Sequence, residues 1–544
     1  MPAPDNIYEN DVDFTILALQ YPDFAKRLKP NRQLDFSDPE SVRQLTKCLL
    51  HRDFDLSIDL PEDRLCPPVP NRFNYILFIQ SLLDSTSPSF HQGFDPERQV
   101  IGLDIGTGAS AIYPLLACRQ RSQWRFLATE IDEKNREYAQ RNILANKLQA
   151  RIRLIDTDDK GDRLIPTGQL QKFDRIDILL TNPPFYPSTQ SLLDSAHQKS
   201  RPPNSSCTGS AVEMITPGGE IGFVSKIIAE SLLPANQRKI QWFSAMLGKL
   251  SSVGAVVERL RESGSGNYTV AEFIQGQRTR RWCVAWSWMG YRPAIDVARS
   301  VGSGSGVERK LLPAVTEMEF ETELPAGGGC GGGGGGGLGS VLDKVCSQIQ
   351  SLDGEGVHWK VDCARGVGMF MSRHGDVWSR KARRRKRAES ERESGHEHEH
   401  ESRENRIGNE KTKTDADAEM EDENDHDTGS ADEEPEPEPE PDLVVRISIT
   451  PSPGSAAGGS APLYRPSQHP HPPSTRSART SSTCQPKTDT DMDMDMDIHE
   501  HGYTHVYIHM RHLQGHDPVL FESFCGWLKR RVTSPAPVPV PARW

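Results

Sequence analysis

The chain has 544 residues, of which 35% are hydrophobic, and a formal net charge of −12. This length would allow about three domains, but the composition changes near residue 295, where low-complexity sequence begins, and acidic tracts beyond that point supply much of the charge. No apolar run of about 18 residues occurs and no signal peptide begins at Met1, so neither a membrane span nor secretion is expected.

The first 95 residues are predicted to form a helical cap region that takes part in substrate binding. Apolar residues at helical spacing indicate helices over 13–21, 39–53 and 72–83. Residues 65–71 are rich in proline, which predicts an extended segment before the third helix.

Residues 96–292 alternate between strand and helix patterns, which predicts an α/β core. Strands are expected over 100–104, 124–130, 151–155, 174–180, 241–247, 268–273 and 281–288. Helices are expected over 111–119, 133–146, 220–231 and 253–261, with a polar loop over 190–210. Short links between alternating units imply a mostly parallel sheet that ends in an antiparallel hairpin. The ligand of such a sheet lies at the carboxyl ends of its strands.

The first motif is Asp104-Ile105-Gly106-Thr107-Gly108, which leaves the first core strand. A glycine-rich turn lets the backbone approach a nucleotide-like ligand and opens a helix whose N–H groups face it. Glu130 ends the next strand, where a carboxylate commonly receives ribose hydroxyls. Taken alone, the turn fits NAD, FAD, a methyl donor or no ligand at all.

The second motif is Asn182-Pro183-Pro184-Phe185, which closes the apolar run 176–181. The Asn182 side-chain oxygen and the Pro183 carbonyl form a pair of acceptors that the two prolines hold stiffly. Two acceptors beside an aromatic ring suit a planar amine such as N6 of adenine, and they also suit a planar amide. In this order within one α/β block, the two motifs indicate an adenine-N6 methyltransferase that uses S-adenosylmethionine.

The second half of the chain is predicted to hold a small split module within disordered sequence. We expect a Gly-rich linker over 293–337, the three pieces of the module over 338–380, 442–450 and 503–532, disordered insertions over 381–441 and 451–502, and a disordered tail over 533–544. The pieces keep alternating apolar residues, whereas the insertions carry Glu-Pro and Asp-Met repeats that cannot bury enough apolar surface to fold.

Residues 1–290 resemble the methyltransferase-like protein sixteen family of RNA N6-adenosine methyltransferases, which has bacterial ribosomal-RNA relatives, and a fungal member is expected. The blocks that carry the resemblance are 21–24, 53–59, 69–75, 103–110, 112–116, 126–130, 182–185, 218–220, 246–249, 272–273 and 275–286. The C-terminal pieces more distantly resemble the split RNA-binding module of the vertebrate members, which has a kinase-associated-one-like fold.

The resemblance implies a class I, Rossmann-like methyltransferase fold, S-adenosylmethionine as cofactor, and a structured RNA, U6 small nuclear RNA above all, as substrate in the nucleus, with the cytoplasm as a second compartment. The catalytic residues would be Asn182, Pro183, Pro184 and Phe185. The cofactor would be bound by Arg72, Asp104, Gly106, Gly108, Ser110, Glu130 and Asn182. The RNA would be bound by Lys199, Arg201, Arg278 and Arg281. The basic run 380–387, which includes Lys381, Arg383, Arg384 and Arg385, suits nuclear import, binding of RNA phosphates, or both.

Two features depart from the family pattern. The stretch 5–13 is acidic where the family has a basic arm, and the loop 156–162 is acidic with Gly161 where the family has a hydroxyl. They keep open a second hypothesis, an RNA-binding protein that retains the fold without turnover. A third is methylation of a glutamine amide in a protein. The ten cysteines form no Cys-X-X-Cys pair, so no metal site is expected.

Overall fold

The computed structural model describes residues 6–157, 163–198, 209–275, 279–323, 336–352, 356–385, 388, 440–452 and 505–534. Within these ranges the chain forms two sheets, and no helix there combines the length and apolar character that crossing a bilayer requires.

The N-terminal region forms four helices, α1 (Phe14–Gln20), α2 (Pro22–Ala25), α3 (Pro39–Phe54) and α4 (Val69–Ser85). The Asp38 carboxylate accepts from two N–H groups at the start of α3 and so caps it. The segment predicted as extended is helical from Val69 onward, because proline at position 70 is tolerated in a first turn. Helix α4 therefore leads from its first turn toward the core sheet.

The core sheet has eight strands in the order β3-β2-β1-β4-β5-β7-β6-β8. These strands are β1 (Val100–Ile105), β2 (Trp124–Thr129), β3 (Ile152–Ile155), β4 (Ile176–Thr181), β5 (Ile240–Leu247), β6 (Tyr268–Gln275), β7 (Thr279–Trp286) and β8 (Arg299–Ser300). Only β7 runs antiparallel to its neighbours in this sheet of the described chain. The predicted class I methyltransferase fold, mostly parallel with a late antiparallel hairpin, is confirmed.

Helices cover both faces of the core sheet. They are α5 (Ile112–Gln120), α6 (Glu133–Ala145), α7 (Thr167–Leu170), α8 (Thr189–Gln198), α9 (Ala211–Met214), α10 (Gly219–Ser231), α11 (Pro234–Lys239), α12 (Leu250–Glu262) and α13 (Ile295–Ala298). One apolar cluster packs α3 to α6 against the sheet, and a second packs α7, α10 and α12 against the other face. Helix α8 lies where a polar loop was predicted, because Leu, Gln and Ala in that stretch favour helix.

The prediction of a Gly-rich linker over 293–337 is wrong for its first part. Val297 packs into the cluster around α4, and Leu311 packs into the cluster around α12. Strand β8 joins the core sheet, and β9 (Glu317–Glu323) joins the second sheet. The first part of the predicted linker has apolar side chains at intervals, and these give it enough apolar surface to bury. The glycine run that follows has no such side chains.

The second sheet has the order β10-β11-β12-β13-β9, and all its pairs are antiparallel. Its further strands are β10 (Val357–Asp362), β11 (Val367–Ser372), β12 (Leu443–Pro451) and β13 (His505–Gln514). Helices α14 (Gly336–Gln350) and α15 (Pro518–Thr533) cover one face and share a core with it. We call β9 to β13 with α14 and α15 the C-terminal module.

The start of the first predicted insertion also differs from the prediction. Residues 380–385 are helical, and Ser379 caps them because its hydroxyl oxygen accepts from the Ala382 N–H at 3.1 Å. The buried Ala382 holds this turn against the module. Most of both insertions lies outside the described residues.

The module contacts the core through buried arginines. The Arg292 guanidinium donates to the carbonyls of Gly515 (2.7 Å), Gly266 (3.2 Å) and His516 (2.5 Å). The Arg511 guanidinium donates to the Ser85 carbonyl at the end of α4 (2.7 Å). The two sheets are thus joined by hydrogen bonds from one unit to the backbone of the other.

Candidate active site

A cavity lies at the carboxyl ends of β1, β2 and β4, where the motifs place their residues. Of the predicted cofactor and catalytic residues, its wall contains Arg72, Gly106, Gly108, Ser110, Glu130, Asn182 and Pro184. Asp104, Pro183 and Phe185 do not line it. The carboxyl ends of parallel strands meet at one edge, which explains why residues so distant in sequence converge.

The glycine-rich turn forms the floor of this cavity. Gly106 and Gly108 have φ of +72° and +66°, a region in which other residues are strained. A Cβ added at either position would meet no atom within 4 Å and would project into open space. The Gly106 and Thr107 N–H groups donate to the Thr129 carbonyl (3.1 and 2.9 Å), which ties the turn to β2. The turn therefore leaves room for a ligand against bare backbone.

Glu130 fixes the turn from the end of β2. Its Oε2 accepts from the Gly108 N–H at 2.8 Å, and its Oε1 accepts from the Asp132 N–H at 3.0 Å. Burial raises the pKa of this carboxyl above its ordinary value. Each carboxylate oxygen can accept a further hydrogen bond, so hydroxyl groups of a ligand could still bind there.

Asp104 lies beneath the turn and is completely buried. Burial raises the pKa of this carboxyl to about 7. The Thr107 side chain interacts with this carboxylate and lowers its pKa, against the larger effect of burial. The sequence predicted direct cofactor contact, whereas in the structure Asp104 is completely buried and does not line the cavity.

Arg72 enters the cavity from the first turn of α4 and is only 5% exposed. Its Nη1 lies 3.1 Å from the Met246 sulfur, and its guanidinium lies 5.7 Å from the centroid of the Tyr113 ring. It forms no ion pair with any carboxylate of the described chain. A buried guanidinium held by a thioether and an aromatic ring is well suited to receive an anionic ligand group.

Asn182 stands where β4 ends. The preceding Thr181 donates its hydroxyl to the Ile105 carbonyl (2.9 Å), which fixes the end of β4 beside β1. The Asn182 Oδ1 is buried and has no hydrogen-bond partner among the described residues. Such an oxygen costs about 1–3 kcal/mol if nothing binds it. The site thus presents a ready acceptor at the edge of the cavity.

Phe185 lies beside the cavity rather than in its wall. The guanidinium of Arg281, on β7, lies 5.9 Å from the centroid of the Phe185 ring. The ring is partly buried, so one part of it remains open to a partner. A cation and an aromatic ring together can hold a base and a phosphate.

The other predicted RNA-binding residues fall into two groups. Lys199, Arg201 and Arg278 lie outside the described residues. Lys381, Arg383, Arg384 and Arg385 are exposed on the helical turn of the C-terminal module. The structure therefore does not bring the latter group to the cavity; it places it on a separate unit.

The comparison with known proteins decides the family. A family profile described as RNA methyltransferase matches residues 3–290, more than half of the chain. The chain belongs to this RNA methyltransferase family. The U6 small nuclear RNA (adenine-(43)-N(6))-methyltransferase of Schizosaccharomyces pombe is 38% identical over 362 residues, which are 66% of this chain and 84% of that protein. The resemblance drawn from the sequence is confirmed at the level of the family.

Other members of the RNA methyltransferase family match a shorter part of the chain. The RNA N(6)-adenosine-methyltransferase METTL16 of Homo sapiens is 39% identical over 294 residues, which are 53% of this chain and 50% of that protein. The chain thus spans about half the length of this relative. A solved structure, the hMettl16 catalytic domain in complex with MAT2A 3'UTR hairpin 1, has 37% identity, covers 52% of this chain and 94% of that chain, and gives a TM-score of 0.45.

In this RNA methyltransferase the structure adds site residues that sequence reasoning missed. Glu213 lines the cavity, and its Oε2 accepts from the Leu65 N–H at 3.0 Å, which joins the proline-rich segment to α9. Tyr113 also lines the cavity. Thr157 and Arg163 line it on either side of the acidic loop, whose residues 158–162 lie outside the described part. No motif in the sequence marks Glu213, because it follows a long polar stretch without a periodic pattern.

Proposed function

We propose that this chain transfers a methyl group from S-adenosylmethionine to N6 of an adenosine in a structured RNA. U6 small nuclear RNA is the leading substrate and the nucleus the compartment. The observation that carries the proposal is the buried, unpartnered Asn182 Oδ1 at the edge of a glycine-floored cavity. The name of the fission-yeast relative supports adenine N6 and U6 as the target.

The cavity fits S-adenosylmethionine on three observations. Gly106 and Gly108 leave open space in which any side chain would project. Arg72 has no carboxylate partner in the described chain and would receive the carboxylate of the cofactor. Glu130 has acceptor capacity for the ribose hydroxyls. When bound, S-adenosylmethionine supplies a methyl group on a positively charged sulfur.

Asn182 and Pro183 would orient the target amine. The exocyclic amine has two N–H bonds, and Asn182 Oδ1 with the Pro183 carbonyl oxygen provides two acceptors. Both hydrogens are then held, so the nitrogen lone pair takes one direction. Orientation of this kind can supply a large part of the rate enhancement without a strong general base.

The cationic neighbour of Phe185 favours RNA over a protein amide. Arg281 lies above the ring that would stack on a base removed from its neighbours, as enzymes that modify bases require. A guanidinium beside that ring would meet a phosphate. A glutamine side chain has no such group, although its amide could also bind Asn182.

Incubation with labelled S-adenosylmethionine and total cellular RNA, total protein or U6 transcript tests the proposal, with nucleoside and amino-acid analysis of the products. We expect label in N6-methyladenosine from RNA, and about a hundredfold slower labelling with Asn182→Ala as the control enzyme. Label in glutamine would support the protein substrate. RNA binding without label would support the hypothesis of a non-catalytic RNA-binding protein.

A further inference from the structure

We propose that three residues outside the catalytic motif form a socket that sets the angle of the Phe185 ring. These residues are Gly219, Glu220 and Gly248, and we call them the ring socket. The inference rests on the proposed function, in which Phe185 stacks on the target base. It assigns Gly248 and Glu220 as positioning residues for the reaction.

Gly248 lies against the ring just after β5. A Cβ added there would lie 2.9 Å from Cδ1 and 3.0 Å from Cε1 of Phe185. These distances are shorter than ordinary van der Waals contact. Gly248 does not have the positive φ that would itself require glycine. The Phe185 ring, with the Glu220 Oε2 at 3.2 Å from the added Cβ as the next contact, therefore accounts for the absence of a side chain at this position.

Glu220 holds Gly248 in that place. It lies at the start of α10 and is 3% exposed. Its Oε2 accepts from the Gly248 N–H at 2.7 Å, and its Oε1 accepts from the Ser252 hydroxyl at 2.5 Å. A buried carboxylate with both oxygens paired is rigid, because moving it would leave a charge unsatisfied. Glu220 thus fixes the turn on which the ring rests.

Gly219 completes the socket on the backbone side. Its φ is +61°, and an added Cβ would lie 3.0 Å from the Phe185 carbonyl oxygen and 3.4 Å from the Pro187 ring. The chain after Phe185 therefore packs closely on the start of α10. A glycine is required here by conformation and by contact together.

The socket explains two sequence blocks that the methyl-transfer site left without a role, Gly218-Gly219-Glu220 and Met246-Leu247-Gly248-Lys249. In the second block, the Met246 sulfur contacts Arg72 in the cavity, and Gly248 contacts the Phe185 ring. The end of β5 therefore touches both the predicted cofactor side and the predicted base side of the site. Stacking depends on the orientation of the ring plane, so a displaced ring should slow the reaction without loosening the cofactor.

Gly248→Ala in the full chain tests the socket, with Gly254→Ala in α12 as the matched control, since a Cβ at Gly254 would lie an ordinary 3.7 Å from Leu311. We expect Gly248→Ala to lower kcat on RNA at least tenfold, with S-adenosylmethionine affinity by calorimetry and Tm close to wild type. Gly254→Ala should retain full turnover. Wild-type turnover for Gly248→Ala would overturn the proposal.

A double-mutant cycle separates positioning from general damage. In a Phe185→Ala background the two closest contacts of the added methyl group are gone and the Glu220 Oε2 at 3.2 Å remains, so Gly248→Ala should lower kcat less than threefold further. Equal losses in both backgrounds would overturn the proposal, because they would show that Gly248 does not act through the ring. An inactive wild type would instead contradict the proposed function.

Variants of Glu220 give a second test of the proposal, in which no side chain is enlarged. Glu220→Gln can still accept from the Gly248 N–H and donate to the Ser252 hydroxyl, so it should keep kcat within about threefold of wild type. Glu220→Ala loses both hydrogen bonds and should lower kcat at least tenfold in the otherwise wild-type chain. In the Phe185→Ala background the same substitution should lower kcat no further. Equal activity of the Gln and Ala variants would overturn the role of Glu220.

Discussion

The cavity of the core sheet and its interface with the C-terminal module differ in whether their buried polar groups have hydrogen-bond partners. In the core sheet, the Asn182 Oδ1 lies at the carboxyl edge without a hydrogen-bond partner among the described residues. At the interface with the module, the Arg292 guanidinium has three carbonyl acceptors. At the cavity a bound ligand can satisfy the Asn182 oxygen, whereas at the interface backbone carbonyls already satisfy the guanidinium.

The sheets also differ in how far apart their strands lie in the sequence. In the core sheet the widest separations between paired strands are 76 residues from β1 to β4 (178 minus 102) and 64 residues from β4 to β5 (240 minus 176). The module pairs β11 with β12 across about seventy residues and β13 with β9 across nearly two hundred. Closing such loops costs entropy that grows only slowly with length, so long insertions between these strands are tolerated.

The largest expected effect concerns Asp104, the completely buried carboxyl of the core sheet. Burial raises the pKa of Asp104 to about 7 from an ordinary 3.8. Between those values the unfolded chain releases a proton that the folded chain keeps, so stability falls as the pH rises from about 4 to about 7. Asp104→Asn cannot titrate and should gain stability over that window, by at most about 4 kcal/mol above pH 7.

Urea unfolding of the cofactor-free protein at several pH values checks this prediction, with Asp11→Asn, an exposed carboxyl, as the control. The control should follow the wild-type pH dependence. A pH-independent difference between Asp104→Asn and wild type would show that the carboxyl is not protonated in the folded chain.

Arg292→Met, at the interface between the core and the C-terminal module, should destabilise the protein. Burial lowers the pKa of Arg292 to about 10, so the group stays charged at neutral pH. Arg292→Met removes the donor and leaves three carbonyls without their partner, at a cost of about 3 kcal/mol. We expect calorimetry to show the module unfolding before the core in this variant. Arg309→Met, at an exposed arginine, should unfold as wild type does; equal Tm values for both variants would contradict the role of Arg292.

The chemistry itself should depend on the core sheet alone. Asn182→Ala removes the acceptor predicted to hold the amine and should lower turnover about a hundredfold, near 2.7 kcal/mol in the barrier. Cofactor affinity should change little and Tm should not fall, because Asn182 Oδ1 has no partner within the described protein whose hydrogen bond would be lost. Single-turnover methylation and calorimetric titration measure the two quantities. A variant with more than a tenth of wild-type turnover would contradict the assigned role.

The sequence predicted the core well because its signals are local. Period-two strands, a glycine turn and an Asn-Pro-Pro turn each act within a few residues, and the order of parallel units then sets the cavity. The contact between Gly248 and Phe185 could not be predicted, since it joins residues 63 apart (248 minus 185). It depends on how closely the folded chain brings them together, and no residue pattern indicates this. Glu213 was missed for the same reason.

The boundary between the core and the C-terminal module could not be predicted from local sequence patterns either. A composition break near residue 295 suggested that the catalytic unit ends near Tyr291, but Val297 and Leu311 pack into the core clusters. A chain that ends at Tyr291 would expose the apolar surface beneath α13, so the catalytic unit extends to about residue 316. Scattered apolar residues in a Gly-rich context give too weak a pattern for a sequence to show this.

The smallest expected effect concerns the cationic turn of the module. Arg383 and Arg384 are exposed there, away from the cavity. If each neutralises one phosphate, the double change to Ala should weaken RNA binding severalfold at moderate salt and reduce the slope of log affinity against log salt by about 1 to 2. Turnover at saturating RNA should stay at the wild-type value, because the cavity is untouched.

Arg238→Ala, an exposed arginine outside the module, is the control and should keep the wild-type slope. An unchanged slope in the double variant would mean that the module joins the core without contacting RNA through this turn.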